Sequence, residues 1–295
     1  MRTRTLGPLE VSVTGLGTNN FGGRIDESAS LAVIDAAIDC GVTFFDTADI
    51  YGNHGGSESI IGRALAGRRD SVVLATKFGK SMGDGMERRG SSSYIRRALD
   101  QSLLRLQTDV IDLYQHHEED PETPLEETVA TVEQLVAEGT VRAWGTSNYR
   151  AETLERVHAL ASDAFVSEQS QYSLLRRDAE AELLPACARL GLGFIPYFPL
   201  ASGLLTGKVS RDEPPAPGTR LHGREISEAD LERVEALRGW AHAHGRSLLE
   251  VAIGALLAVE PVVSVIAGAT KPEQVRANAA AGEWVPSAAE LAELQ

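Results

Sequence analysis

Short runs of β-branched and aromatic residues alternate with longer segments of helical spacing along nearly the whole chain. That alternation is the mark of βα units built around a parallel sheet. Eight such runs occur: Val13–Gly17, Thr43–Asp46, Val72–Lys77, Val110–His117, Val141–Ser147, Ala164–Gln169, Gly193–Phe198 and Val262–Ala267. Between them the apolar positions recur at helical intervals in Ser30–Cys40, where Leu31, Ile34 and Ile38 share a face. The same holds in Ser57–Leu65, Tyr94–Leu106, Pro124–Glu138, Ala151–Leu160 and Ala179–Leu190. Eight strands with eight crossovers predict an α/β protein, a closed (β/α)8 TIM barrel.

The flanks add to this plan. Residues Arg2–Leu6 and Leu9–Val13, around Gly7-Pro8, read as a hairpin ahead of the barrel that closes its N-terminal end. After the seventh strand, Glu213-Pro-Pro-Ala-Pro-Gly218 is too rich in proline for regular structure and reads as a mobile loop. An inserted helix over Ser227–His244, a crossover helix over Ser247–Val259 and a C-terminal helix over Ser287–Leu294 follow. With no tandem repeat and no linker composition, residues 1–295 read as one barrel domain.

A doubly wound open sheet is the structural rival, and it carries G-x-G-x-x-G after its first strand. Here Gly15 and Gly17 are followed by Asn20 at the third glycine position. The cluster Gly203-Leu-Leu-Thr-Gly207-Lys208-Val209 is one residue short between its glycines and lacks Ser or Thr after the lysine, so it is not a P-loop.

Composition narrows the function classes. The 295 residues are 43% hydrophobic and 24% charged, enough apolar material for a sizeable core. No run of about 18 apolar residues occurs, and no apolar segment follows the N-terminal Met-Arg-Thr-Arg, which argues against membrane spanning and signal-peptide export. Lys plus Arg number 28 against 42 Asp plus Glu, a net charge of −14 that repels nucleic acid and anionic membrane surfaces. Cys40 and Cys187 each fall in a helical segment, as small buried side chains do, and a reducing, cytoplasmic location is expected. His116-His117-Glu118-Glu119 and His242/His244 lack metal-ligand spacing, so no metal is expected.

In a barrel of this kind the reactive groups lie at the C-terminal strand ends and in the loops that follow. The second strand ends in Asp46 and leads to Tyr51-Gly52; the third ends in Lys77; the fourth ends in His116-His117. An acid, a phenol, an amine and an imidazole therefore converge on one end. The chain holds only four lysines, Lys77, Lys80, Lys208 and Lys271, and one of them closes an apolar strand.

These residues carry a family resemblance. Asp46-Thr47-Ala48-x-x-Tyr51-Gly52, continuing through Ser57-Glu58-x-x-Ile61-Gly62-x-Ala64-Leu65, resembles the best-known signature of the aldo-keto reductase superfamily. Asp109-Val-Ile-Asp112-Leu-Tyr-Gln-x-His117, Gly145-Thr-Ser147-Asn148-Tyr149, Gln169-x-x-Tyr172-Ser173-Leu174-Leu175 and Gly203-Leu-Leu-Thr206-Gly207-Lys208 are similar to its later blocks, in order. The likeness ends with Ile266-Ala-Gly268-Ala-Thr270-Lys271-Pro-Glu-Gln274-x-x-x-Asn278 and so covers essentially the whole chain.

The resemblance implies carbonyl reduction by NADPH, with Tyr51 as proton donor to the developing alkoxide. Lys77 is expected to lower the tyrosine pKa, Asp46 to hold Lys77, and His117 to donate a hydrogen bond to the carbonyl oxygen. It further implies that Ser147, Asn148 and Gln169 hold the nicotinamide carboxamide and that Tyr197 stacks on the ring. Leu200, Ser202, Gly203 and Lys208 would wrap the pyrophosphate. Gly268, Thr270, Lys271, Gln274 and Asn278 would hold the adenosine end and its 2′-phosphate.

His116 and His117 are adjacent on a strand and point to opposite faces. The resemblance places an apolar residue where His116 stands and the functional histidine at His117, so His117 is expected inward and His116 towards the helices. Glu118-Glu119 replaces the commoner Arg-Pro. The loops Gly79–Ser93 and Gly203–Glu225 are poor in aromatics, which suggests an open polar pocket for small aldehydes or sugar-like carbonyls. A noncatalytic NADP-binding accessory or sensing module on the same fold is the alternative, since fold does not fix function.

Overall fold

The computed structural model describes residues 1–83, 85, 86 and 88–294. Asp84 and Glu87 of the loop 79–93, and Gln295 at the end of the span 1–295, lie outside the described residues. Ten strands are described: β1 (Thr3–Leu6), β2 (Leu9–Ser12), β3 (Thr14–Gly17), β4 (Phe44–Asp46), β5 (Val73–Phe78), β6 (Ile111–His116), β7 (Val141–Ser147), β8 (Phe165–Gln171), β9 (Gly193–Tyr197) and β10 (Val265–Gly268). The last eight form one parallel sheet in the order β10-β3-β4-β5-β6-β7-β8-β9. A parallel bridge from Phe194 to Val262 joins β9 to the segment entering β10, so the sheet closes on itself as a (β/α)8 barrel. That bridge explains why the apolar run begins at Val262 although β10 itself begins at Val265.

The helices between the strands are α1 (Glu27–Asp39), α2 (Tyr51–Ala64), α3 (Ser92–Leu106), α4 (Leu125–Ala137), α5 (Ala151–Leu160) and α6 (Leu183–Leu190). After β9 come α7 (Glu228–Ala243) and α8 (Leu248–Leu257), and α9 (Pro272–Ala281) and α10 (Ala288–Leu294) end the described chain. Helix α1 starts earlier than its apolar pattern because Asp26 caps it, accepting from the Ala29 N–H at 2.8 Å. The expected helix 179–190 is divided into a short turn, Asp178–Glu180, and α6. Pro185 explains the division, since it lacks an N–H and is tolerated in the first helical turn only. Helix α9 was not anticipated as an element, although Pro272 at its first position is a start signal.

The inside of the barrel is filled by Phe44, Ala75, Leu113, Ala143, Val166, Ile195 and Ile266, against which Leu6, Leu9 and Val11 of the β1–β2 hairpin pack. The hairpin therefore forms the floor, as expected. Its turn presses so closely that a Cβ on Gly7, whose φ is +55°, would stand 2.2 Å from Val166 Cγ1. A larger apolar shell, including Ile34, Ile61, Ile95, Val132, Leu154 and Val251, lies between strands and helices. With the floor blocked, polar side chains gather at the opposite end.

Candidate active site

Asp46, the last residue of β4, is the hub. Its Oδ1 accepts from Lys77 Nζ at 2.6 Å, and its Oδ2 accepts from Gln169 Nε2 at 2.9 Å and Gln115 Nε2 at 3.2 Å. Lys77 also donates to the Thr47 carbonyl at 2.8 Å and is wholly buried. Burial pulls the lysine pKa down, and the Asp46 carboxylate opposes that pull. Without it a buried ammonium would shed its proton.

Five residues beyond Asp46 the chain delivers Tyr51. A run of left-handed backbone, Gly52, Asn53, His54 and Gly55, separates it from the regular part of α2. Gly52 is required there, because a Cβ would lie 2.5 Å from the Phe21 carbonyl. The Tyr51 ring meets His117 edge-on, with centroids 5.9 Å apart, and Lys77 Nζ stands 5.4 Å from the Tyr51 centroid.

On the Tyr51 phenol, influences stronger than Lys77 prevail. Burial, followed by the Asp46 carboxylate, raises the phenol well above its ordinary value, and the cation that opposes this is Arg220. Lys77 meets the phenol already paired with Asp46.

The two histidines diverge as strand alternation requires. His116 turns outward, with Nδ1 2.7 Å from the Tyr149 hydroxyl and its ring stacked on Phe78 at 4.8 Å. His117 faces Tyr51, and its Nδ1 is buried without a partner. Burial pushes His116 down to about 4 and, with help from Lys77 and Lys80, His117 down to about 2. Both imidazoles are neutral at ordinary pH.

Ser147 ends β7, and Asn148 follows in left-handed backbone at φ +60°. Asn148 Nδ2 donates to the His117 carbonyl and to Ser147 Oγ, both at 3.0 Å, and its Oδ1 accepts from the Tyr197 hydroxyl at 2.8 Å. Asp46, Tyr51, Lys77 and His117 are thus gathered together with Gln169, Asn148, Ser147 and Tyr197. Gln169 donates also to Gln115 Oε1 at 3.2 Å, so its amide nitrogen is committed and only its carbonyl oxygen remains available.

Leu200 leads into the tight turn Ala201–Thr206, which holds Ser202 and Gly203 at positive φ, and Lys208 is exposed just beyond it. Gly268 ends β10. Lys271 is exposed at the start of α9, and Asn278 is buried in that helix. Thr270, expected at the adenosine end, gives its N–H and hydroxyl to Gln274 Oε1 at 2.7 and 3.2 Å. Within this pair Gln274 keeps only its amide nitrogen free to donate.

Sequence reading missed Arg220, which ties the loop after β9 to the loop after β3. Its guanidinium donates to Asn19 Oδ1 at 2.6 Å and Asn20 Oδ1 at 2.8 Å, and lies 5.4 Å from the ring centre of Phe198, beside Tyr197. Asn20 donates to the Ala269 carbonyl at 3.2 Å. Arg24 donates to the Gly218 carbonyl at 2.7 Å, a second tie between the loops after β3 and β9. No motif could have flagged Arg220. Gln115 was findable, since it shares the face of His117 two residues away on the strand.

Comparison with known proteins gives consistent results. The Aldo/keto reductase family profile matches residues 14–295. The chain is 41% identical over 284 residues to "Uncharacterized oxidoreductase YrpG" of Bacillus subtilis (strain 168), covering 91% of this chain and 86% of that one. It is 35% identical over 280 residues to "Probable aldo-keto reductase 1" of Glycine max (91% and 80% covered). It is also 35% identical over 282 residues to "Probable voltage-gated potassium channel subunit beta" of Oryza sativa subsp. japonica (90% and 85% covered). Among solved structures, the aldo-keto reductase AKR11C1 from Bacillus halodurans, in its holo form, superposes with a TM-score of 0.85 at 35% identity. That match covers 100% of this chain and 95% of the other.

Proposed function

The chain belongs to the aldo/keto reductase family, and on that premise we propose that it reduces an aldehyde or ketone to the alcohol with NADPH, using Tyr51 as general acid. The observation that carries the reading is the buried Asp46–Lys77 pair, 2.6 Å apart, set beneath a tyrosine that meets a neutral histidine edge-on. The residues present fit a nicotinamide dinucleotide. The Gln169 carbonyl oxygen is free to accept from a carboxamide, and the exposed Lys208 and Lys271 carry no ion pair among the described residues of an otherwise acidic chain. Ser147, Asn148, Gln169 and Tyr197 would hold the nicotinamide end. Leu200, Ser202, Gly203 and Lys208 would hold the pyrophosphate, and Gly268, Thr270, Lys271, Gln274 and Asn278 the adenosine end.

Bound NADPH supplies the hydride. Burial and Asp46 raise the Tyr51 pKa, so the phenol starts protonated and its proton moves from the hydroxyl to the more basic alkoxide. Arg220 then stabilises the phenolate left behind. His117, neutral because buried, offers an uncharged N–H to the carbonyl oxygen and sets its approach. Gln115 and Gln169 hold the second oxygen of Asp46, so the carboxylate cannot swing away from Lys77.

The substrate we propose is a small aldehyde or sugar-like carbonyl. Charged pairs line the loops after β5 and β6, with Glu118 3.6 Å from Lys80 and 3.8 Å from Arg89. A cytoplasmic location is consistent with two unpaired cysteines, and no helix among the described residues is long and apolar enough to cross a membrane.

The rice relative's name motivates a second reading, an NADP-binding accessory module. A spectrophotometric screen for NADPH oxidation over aldehydes, ketones and keto-sugars separates the two. Turnover abolished by Tyr51→Phe establishes the reductase; tight NADPH binding with no turnover on any carbonyl supports the module.

A further inference from the structure

Behind Lys77 lies a second buried acidic group that the proposed chemistry does not use. Asp49 and Glu58 are 2% and 0% exposed. Arg105, on α3, donates from Nε to Glu58 Oε2 at 2.7 Å, and Thr76 Oγ1 donates to Glu58 Oε1 at 2.5 Å. Glu58 is therefore satisfied at both oxygens. Asp49 is fixed by its backbone N–H, which donates to the Lys77 carbonyl at 3.1 Å, and its carboxyl meets the Ile50 N–H. Its Oδ1, however, is buried with no partner, as is the Tyr114 hydroxyl of β6.

Two buried carboxylates near one guanidinium that hydrogen-bonds only Glu58 cannot both ionise without large cost. The proton belongs on the carboxyl with the orphaned oxygen, because Glu58 spends both of its oxygens as acceptors. The charged groups that reach Asp49 are Glu58 of α2, Arg105 of α3 and Lys77 of β5. Asp49 acts in turn on Tyr51, Lys77 and Tyr114. Burial, then Glu58, pushes the Asp49 carboxyl up to about 7. When ionised it supports the Lys77 ammonium and makes Tyr51 a weaker acid.

Resting on the reductase reading above, we propose that Asp49 is a positioning residue that, by holding or releasing its proton, changes the negative charge behind Lys77 and so sets how readily Tyr51 gives up its own. The geometry that carries it is the orphaned Oδ1 beside a fully satisfied Glu58, one peptide hydrogen bond from Lys77.

Asp49→Asn keeps the shape and removes the charge. The limb of the alcohol-oxidation pH profile that needs ionised Tyr51 is expected to move down by about one unit in this variant. Tyr114→Phe disturbs the same cluster without changing its charge and should leave that limb in place. A fall in kcat in both variants with neither limb displaced means a purely structural role and overturns the proposal.

A readout independent of turnover is the 13Cε-lysine NMR spectrum of the whole protein, which has only four lysines, with Lys77 assigned by its loss in Lys77→Met. In the wild type the Lys77 resonance should show a step centred near pH 7, absent in Asp49→Asn. No step in the wild type, or one that survives the substitution, overturns the proposal. A chain that shows the step yet reduces no carbonyl fails the reductase reading and leaves the Asp49 coupling standing.

Discussion

Lys77 Nζ stands 5.4 Å from the centre of the Tyr51 ring while it hydrogen-bonds Asp46 at 2.6 Å. The ammonium therefore acts on the phenol together with the carboxylate it pairs, as a close ion pair and not as a lone charge. In the proposed mechanism Tyr51 is therefore a donor that starts with its proton held, which sets the direction in which substitutions should act.

Tyr51→Phe should leave NADPH affinity nearly intact and lower kcat by roughly 10²–10⁴, because the ring stays and only the proton donor goes. Fluorescence titration beside steady-state kinetics checks both halves. Wild-type kcat in the variant would remove Tyr51 from the mechanism.

Lys77→Met leaves Asp46 without its cation, and an uncompensated carboxylate raises the phenol further. Alcohol oxidation needs the phenolate, so its pH profile should shift upward. A profile that stays put means Lys77 does not act on Tyr51 at all.

His117→Ala should depress kcat/KM strongly, since the imidazole set edge-on to Tyr51 is lost. His116→Leu should be mild, because His116 touches Phe78 and Tyr149 on the helix side of the sheet. The opposite ranking in one assay would assign the carbonyl contact to His116.

The 2′-phosphate distinguishes NADPH from NADH, and Lys271 is the exposed cation at the start of α9. Thr270 gives its donors to Gln274, so the preference should rest on Lys271 and be moderate, about 10- to 100-fold. Kd values for both cofactors from Trp quenching, repeated in Lys271→Ala, measure it. Equal wild-type affinities, or an unaltered ratio in the variant, remove Lys271 as the discriminator.

Glu168 is buried on β8 and, despite accepting from Thr146, Ser170 and Tyr149, is pushed up to about 7 by burial. A carboxyl with a raised folded pKa contributes stability that is fully present below its unfolded value and lost as pH rises through the folded one. Urea unfolding should therefore show the wild type losing ground to Glu168→Gln between about pH 4.5 and 8. A constant difference across that range would mean that Glu168 does not titrate there.

The strands were readable because buried parallel strands are short apolar runs bounded by polar ones, and Asp46, Lys77 and His117 end such runs. Hydrophobic spacing cannot see a contact made by a long side chain from a distant loop, and so Arg220 escaped it. Nor can spacing say where a charge is spent. Lys77 was legible as a residue of the site, but its neutralisation by Asp46 and the inward hydrogen bonds of Thr270 depend on side-chain rotamers that only the packed structure fixes.

The barrel's seam has a cost in time. Thr14 of β3 pairs with Val265 of β10, and the Arg2 guanidinium reaches the Gly282 carbonyl at 2.5 Å. The first strand of the barrel, β3, thus has one of its two neighbours about 250 residues later in the chain, and at roughly 5–20 residues per second it waits on the order of ten seconds or more for that edge to be covered. During that interval β3 and the hairpin can be paired on one side only, with apolar Leu6, Leu9 and Val11 awaiting the barrel they will floor. Nascent chains stalled before β10 should bind chaperones through this N-terminal segment and release them once the seam is complete.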